Sequence, residues 1–251
     1  MRLYQGDCLE IMPQLDPKSI DMVLCDLPYG ITACKWDTVI PLEALWAEYR
    51  RIVKSDGAIV LFSSQPFTSI LVNSNLSMFK YEWIYQKFVG SNFANAKKMP
   101  IKEHENVLVF YEKPPTYNPQ MQERSEGGKK RLRTPYKSNS QTPCEVMGQI
   151  QRNVVGKTYN PDLRLPGSVQ KFNNRAKGSR GLHPTQKPIE LCEYLIKTYT
   201  NEGETILDNC MGSGTTGVAC RNLNRKFIGI EKEQKYFDIA LRRLGSQIWN
   251  T

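Results

Sequence analysis

Residues 205–217 read Thr-Ile-Leu-Asp-Asn-Cys-Met-Gly-Ser-Gly-Thr-Thr-Gly, an apolar run that breaks into a glycine-rich turn. Helical character follows from Gly214 to Asn222, and a second apolar run covers Lys226 to Ile230. Strand, G-x-G-x-x-G, helix, strand is the pattern of an α/β unit that binds a nucleoside-bearing molecule at its turn. Glycine lets the backbone approach a ligand closely, and the helix start presents free N–H groups. Glu231 then falls where such units place an acid against ribose hydroxyls.

The turn alone leaves the cofactor open. A dinucleotide needs its pyrophosphate held there, whereas S-adenosylmethionine has no phosphate. Its sulfonium and α-amino group are cationic and favour carboxylates. Asp208, four residues before Gly212, supplies one. A nicotinamide fingerprint more often starts directly after the strand, without that acid. As a purely structural residue, Asp208 would cap the turn.

The rest of the chain fits the same architecture. Asp21 to Cys25 reads as a short apolar strand, and Leu42 to Val53 repeats at three and four, one face of a helix. Ser55-Asp56-Gly57 reads as a turn before a buried strand, Ala58–Phe62. Ser64 to Leu76 reads as a helix, and Tyr81–Phe88 with Glu105–Tyr111 as a strand pair. Helices are also expected over Ile189–Tyr199 and Gln234–Leu244. Alternating strands and helices predict a doubly wound, mostly parallel sheet.

From about 114 to 180 this pattern collapses into Pro, Gly, Asn, Ser and basic residues. Residues 113–180 hold 14 Lys+Arg against 4 Asp+Glu, so this stretch accounts for the whole net charge of +9. Such a basic, loop-rich insertion suits contact with nucleic acid, although composition alone also fits a disordered linker. The seven cysteines are scattered without a C-x-x-C pair, and His104 and His183 lie near no cysteine cluster, so no metal site is expected. No run approaches the roughly 20 apolar residues that cross a bilayer. The N-terminus lacks a signal-peptide core, and a cytoplasmic protein is expected.

Asp26-Leu27-Pro28-Tyr29 directly follows the first apolar strand. An exocyclic amine on a nucleobase is a poor nucleophile, because its lone pair is delocalised into the ring. Two acceptors around its N–H bonds localise that pair. The Asp26 carboxylate and the Leu27 carbonyl are such acceptors. Pro28 stiffens the turn and biases Leu27 toward extended backbone, and Tyr29 offers a ring for a base to stack on. Read alone, the tetrapeptide is a strand end and a turn.

Taken together, Asp26-Leu27-Pro28-Tyr29, the 205–217 turn and His183-Pro184-Thr185-Gln186-Lys187-Pro188 resemble the catalytic, cofactor and H-P-T-x-K-P motifs of the DNA amino-methyltransferases. The order, catalytic motif first and cofactor motif last, is that of the permuted β class. Leu27 departs from the family's Asp-Pro-Pro-Tyr. The resemblance implies an S-adenosylmethionine-dependent methyltransferase fold, circularly permuted, that methylates adenine N6 of double-stranded DNA. A cytosine-N4 enzyme is the near alternative. A nicotinamide oxidoreductase would leave Asp26–Tyr29 unexplained, and a non-catalytic DNA binder would leave intact acids unused. Implied cofactor contacts are Asp7, Asp26, Thr185, Gln186, Lys187, Asp208, Cys210, Gly212, Gly214, Thr215 and Glu231. Gly6-Asp7 reads equally well as an ordinary turn.

The expected organisation is a catalytic half over 1–113, a basic insertion over 114–180 that recognises the target, and a cofactor half over 181–251. DNA contacts are expected from Trp36, Lys87 (with Trp83), Lys129, Lys130, Arg131 and Arg133. Lys97, Lys98, Asn92 and Asn95 are further candidates, and Asn173, Asn174 and Arg175 are candidates for base readout. Many relatives are homodimers, so a homodimer is among the expectations, as is a role in restriction-modification.

Overall fold

The computed structural model describes residues 1–30, 37–133, 160, 162–175 and 186–245, with side chains from 131 to 133 left out. The strands are β1 (Arg2–Gln5), β2 (Ile20–Asp26), β3 (Val53–Ser63), β4 (Phe79–Ser91), β5 (Lys102–Phe110), β6 (Gln122–Glu123), β7 (Leu163–Arg164), β8 (Val169–Phe172), β9 (Thr205–Asp208) and β10 (Lys226–Glu231). The α-helices are α1 (Cys8–Ile11), α2 (Leu42–Ile52), α3 (Phe67–Ser74), α4 (Glu126–Arg133), α5 (Ile189–Tyr199), α6 (Thr215–Asn222) and α7 (Gln234–Leu244).

Eight strands form one sheet in the order β1-β10-β9-β2-β3-β5-β4-β8. The first five of these run parallel, and β5 is antiparallel to both its neighbours. Strand β2 is apolar on both sides because both are covered. Met22 and Leu24 join a core with α5, α6 and α7, while Val23 and Cys25 join one with α1, α2 and α3. The amphipathic stripe of α2 buries Leu45, Trp46, Tyr49 and Ile52 against that second face.

The chain leaves β9 through α6 to β10 on one side and leaves β2 through α2 to β3 on the other. Strands β9 and β2 are neighbours, with Leu207 opposite Val23. Their crossovers therefore diverge, which opens a crevice beyond their carboxyl ends, the usual ligand position in such sheets. Asp21 fastens the far end: its carboxylate accepts from the Thr205 amide at 2.8 Å and pairs with Lys54 at 2.5 Å.

Two local differences from the pattern reading have physical causes. Ser55-Asp56-Gly57 is not a turn before a new strand but a bulge inside β3, between pairings Ile20↔Val53 and Met22↔Ala58. Gly57 is needed there, since a Cβ would sit 2.9 Å from the Asp21 carbonyl. Within the loop-like stretch, Val169–Phe172 adds to the edge of the sheet beside β4. Its short apolar signal hides a real strand because Phe172 packs on Tyr85 and Tyr194 from outside the segment.

The chain divides into two compact units, 1–118 with 167–251, and 119–166. The first contains the large sheet. In the second, β6 and β7 form a short antiparallel ladder, with Arg124 donating to the Leu163 carbonyl at 2.8 Å, and α4 follows β6. No described helix is long and apolar enough to cross a membrane.

Candidate active site

The glycine turn is shaped by backbone that only glycine adopts easily, with φ of +51° at Gly212 and +78° at Gly214. A Cβ on Gly214 would approach Ala240 of α7 at 3.1 Å, so this glycine serves helix packing as well. Gly229 makes room for Met211, whose sulfur would clash with an added Cβ.

The acids of this half are committed to their own turn. Thr216 Oγ1 donates to Asp208 at 2.6 Å, and the Cys210 amide donates to its other oxygen at 3.2 Å. Burial pushes the Asp208 carboxyl up to about 7, against those two hydrogen bonds. Glu231 accepts from the Gly212 and Glu233 amides, each at 2.8 Å. Burial raises it too, and the amides pull it back only in part. Asp7 caps α1 through the Leu9 amide at 2.9 Å and pairs with Lys232 at 3.0 Å. These partners outweigh its burial and hold it below the ordinary range. Cys210 lies against Cys8 and Cys25; burial pushes the Cys25 thiol up to about 12, so it stays neutral.

The other half is assembled differently. Asp26 ends β2 half-buried, and burial raises its carboxyl. Tyr29 Oη donates to one of its oxygens at 2.6 Å, and Lys187 Nζ, just before α5, donates to the other at 2.5 Å. Asp37 Oδ1 accepts from the Tyr29 and Gly30 amides at 2.7 and 2.9 Å, which fixes the turn after Pro28. Tyr29 stacks on Phe67 with ring centroids 5.2 Å apart. Lys187 also faces Glu105 of β5 at 3.3 Å and lies over the Phe62 ring. Glu105 in turn pairs with Lys87 of β4 at 2.7 Å. The lysines draw Glu105 down to about 2 despite its burial. Burial works to lower the Lys187 ammonium, but Asp26 and Glu105 hold it above its ordinary value.

Both halves line one cavity of about 430 Å³. Asp7, Asp26, Leu27, Pro28, Tyr29, Gln186, Lys187, Asp208, Cys210, Gly212, Thr215 and Glu231 all reach it, as does Lys87. Gly214 is absent from its wall and faces α7. Among the described residues, seven acids and four lysines line the cavity, and no arginine does. That donor set suits a cationic nucleoside cofactor better than a pyrophosphate.

Other sequence expectations fall elsewhere. Lys87 turns inward to Glu105. Trp83 is buried and donates to Tyr199 Oη at 2.7 Å, so it does not accompany Lys87 on an outer face. Asn174 bonds both backbone groups of Val89, at 3.0 and 2.8 Å, and supports the sheet edge. Lys129 pairs with Glu126 in α4, beside Lys130. Trp36 and Thr185 lie outside the described residues, as do the side chains of Arg131 and Arg133. Sequence reasoning missed Asp37, Glu105 and Lys102. It also missed Tyr49, whose hydroxyl donates to Asn209 at 2.6 Å under the glycine turn. The single acids in Trp-Asp and His-Glu-Asn carry no pattern that sets them apart from surface residues.

A DNA methylase family model matches residues 20–242, and the chain belongs to that family. It is 27% identical over 259 residues to the Type II methyltransferase M1.MboII of Moraxella bovis, covering 95% of this chain and 94% of that protein. It is also 27% identical to the DNA adenine methyltransferase YhdJ of Escherichia coli K12, over 96% of this chain and 82% of the relative. The fold matches a crystal structure of an M1.HpyAVI–SAM complex with a TM-score of 0.65 and 24% identity, covering 98% of this chain and 100% of that one.

Proposed function

We propose that this DNA methylase transfers a methyl group from S-adenosylmethionine to the N6 amine of an adenine everted from double-stranded DNA. The observation that carries this is the shared cavity: the Asp26 turn and the Asp208 turn close on one space at the point where the sheet's crossovers diverge. The likeness to YhdJ, a relative named as a DNA adenine methyltransferase, supports the choice of base.

S-adenosylmethionine supplies a methyl group on a positively charged sulfur. Around it, Asp208, Glu231 and Asp7 provide the negative lining that a cationic nucleoside needs, and Gly212 leaves the backbone open to close approach. Glu231 retains acceptor capacity for ribose hydroxyls, since two amides use only part of its four lone-pair sites. Asp26 accepts an amine N–H, and the Leu27 carbonyl is the second acceptor. Together they favour a tetrahedral nitrogen whose lone pair points along the line of displacement. S-adenosylmethionine, when bound, would supply the methyl group to that nitrogen, and Asp26 is the group placed to take up the proton the amine gives up. Much of the rate gain is orientation. The stacked Tyr29 and Phe67 rings brace the turn that the base must meet, and extruding the base costs a few kcal/mol.

The basic segment 114–180 is assigned to DNA, with Lys129, Lys130, Arg131 and Arg133 on phosphates, and Trp36 is assigned to DNA from its sequence position after Asp26–Tyr29 alone. The cytoplasm is the assigned compartment. Light scattering tests the homodimer. For the reaction, unmethylated genomic DNA is incubated with the protein and tritiated S-adenosylmethionine, then digested to nucleosides. Label in N6-methyladenine is expected. Label in N4-methylcytosine would overturn the base, and absence of label the whole reading.

A further inference from the structure

One buried group has no task in the scheme above. Glu105 lies on β5, a strand outside every motif described for the site, yet its side chain is only 14% exposed and lines the same cavity. Its two oxygens are unequal. Oε1 is paired with Lys87 at 2.7 Å, whereas Oε2 is buried without a hydrogen-bond partner and faces the Lys187 ammonium at 3.3 Å. A charged oxygen buried without a hydrogen bond is costly, and such groups call for an explanation.

The four charges alternate in a row: Asp26, Lys187, Glu105, Lys87. At one end, Asp26 has both oxygens engaged, by Tyr29 and by Lys187. An incoming amine must share or displace one of those donors. Displacing Lys187 would strand a buried cation unless a second anion stood within reach, and an unpaired buried charge is strongly unfavourable. Glu105 Oε2 is such an anion, already oriented toward Lys187 and lacking only an aligned N–H.

We propose that Glu105 is a positioning residue for methyl transfer: it receives the Lys187 ammonium as the target amine engages Asp26, and so frees an acceptor on Asp26 without leaving Lys187 unpaired. The inference rests on the methyltransfer reading above. Without Glu105, Lys187 keeps Asp26 as its one anionic partner among the described residues and competes with the amine throughout.

The charge row also sets how activity responds to acid. Activity requires ionised Asp26, so the rate falls as pH drops through its pKa. Around Asp26 and Glu105 stand Lys187 and Tyr29, Lys87 and Tyr85 from β4, and Lys102 from β5. Cys25 of β2, Cys192 of α5 and Asp208 of β9 also interact electrostatically with Asp26. Removing the negative charge of Glu105 makes Asp26 easier to ionise. Removing the positive charge of Lys87 does the reverse, and also leaves Lys187 as the one ion-pair partner of Glu105 among the described residues.

The test uses Glu105→Gln and Lys87→Gln in the full chain, with unmethylated genomic DNA and tritiated S-adenosylmethionine. Calorimetric titration with S-adenosylmethionine serves as the check on folding. For Glu105→Gln, kcat is expected to fall about tenfold, the scale of one lost charge-assisted contact, with cofactor affinity unchanged. Its acidic limb moves to lower pH, and that of Lys87→Gln moves to higher pH. A disrupted fold does not produce opposite shifts. Wild-type kcat in Glu105→Gln, or limbs that stay put or move in the same direction, overturns the proposal. Should Glu105→Gln lose cofactor binding, the Lys87→Gln limb decides alone, and no upward shift there overturns it. A wild-type protein that labels no DNA would instead defeat the methyltransfer reading itself.

Discussion

The two acid-bearing turns of the cavity are held by different kinds of partner. At the end of β9, Asp208 bonds Thr216 and the Cys210 amide, and Glu231 bonds the Gly212 and Glu233 amides, so these carboxylates organise the turn they belong to. At the end of β2, Asp26 bonds Tyr29 nearby but also Lys187, 161 residues away, and through it meets Glu105 and Lys87. The first turn is a cradle whose acids are held by its own amides and by Thr216. The second is a set of compensated charges gathered from three strands and a helix start. The cradle takes up a methyl donor and releases its demethylated product in each cycle without losing the hydrogen bonds that shape it, whereas the amine pocket must exchange partners of Asp26 itself when a base enters.

The largest expected effect tests the amine side. Asp26→Asn keeps the shape of the side chain but removes its charge, so Lys187 loses its closest counter-ion and the amine its anionic acceptor. Methyl transfer is expected to fall on the order of a thousandfold, in the range that a positioned base or oriented charge supplies. Affinity for S-adenosylmethionine, read by calorimetry, should change far less, because the cradle is anchored independently. Equal loss of binding and turnover would show that the two turns do not act as separate devices.

The cradle side is challenged by crowding. In Gly229→Ala the new methyl would meet the Met211 sulfur and the Phe227 ring, 2.7 Å away, at the base of the glycine turn. Overpacking of this kind costs about 1–3 kcal/mol, measurable as a shift in the urea midpoint at constant slope. Cofactor affinity should fall with it. A variant as stable as wild type would mean that the turn is looser than its contacts indicate.

How much of this could be read from the chain follows the same division. The cradle is local: a strand, two glycines, a helix and an acid at the end of the next strand are consecutive, so Gly212, Asp208 and Glu231 stand out in the sequence. Asp26 and Tyr29 were legible for the same reason, as neighbours in one turn. Asp37, Glu105 and Tyr49 were not. Each acts across the sheet or across a loop, and nothing in the residues beside them announces a distant partner. Strand β8 escaped notice because its pairing partner, β4, lies more than 80 residues earlier. The bulge at Ser55-Asp56-Gly57 imitated a turn because the same small and polar residues serve both.

A smaller effect separates the two sides by pH. Burial raises Asp208 to about 7, so near pH 6 it is largely protonated in the folded protein, although it would be ionised in the unfolded chain. Folding stability is therefore unpenalised below the unfolded value near 3.8, and the penalty accumulates as pH rises from there to about 7 and is complete above it. A cationic ligand favours the ionised form and repays that penalty. Binding of S-adenosylmethionine at pH 6 is expected to release a proton, detectable in buffers of different ionisation enthalpy, and to tighten several-fold between pH 6 and 8. Asp208→Asn should abolish the release. Proton release that persists in Asp208→Asn would place the titrating group elsewhere, with Glu231 the next raised acid.

The smallest effect concerns a charge pair outside the cavity. Lys87 and Lys129 each sit about 2.7–2.8 Å from a glutamate, but the Lys87 pair is nearly buried, whereas Glu126 beside Lys129 is 89% exposed. The exposed pair is screened by water and salt and contributes little to stability. Lys129 can therefore leave Glu126 for a phosphate at little loss, which Lys87 cannot do with Glu105. In Lys129→Ala, thermal melting should not change, while the slope of log affinity for DNA against log salt should fall by about one, the signature of one lost phosphate contact. An unchanged slope removes Lys129 from the DNA surface, and a lower melting temperature would mean that its pairing with Glu126 supports the fold of its own unit.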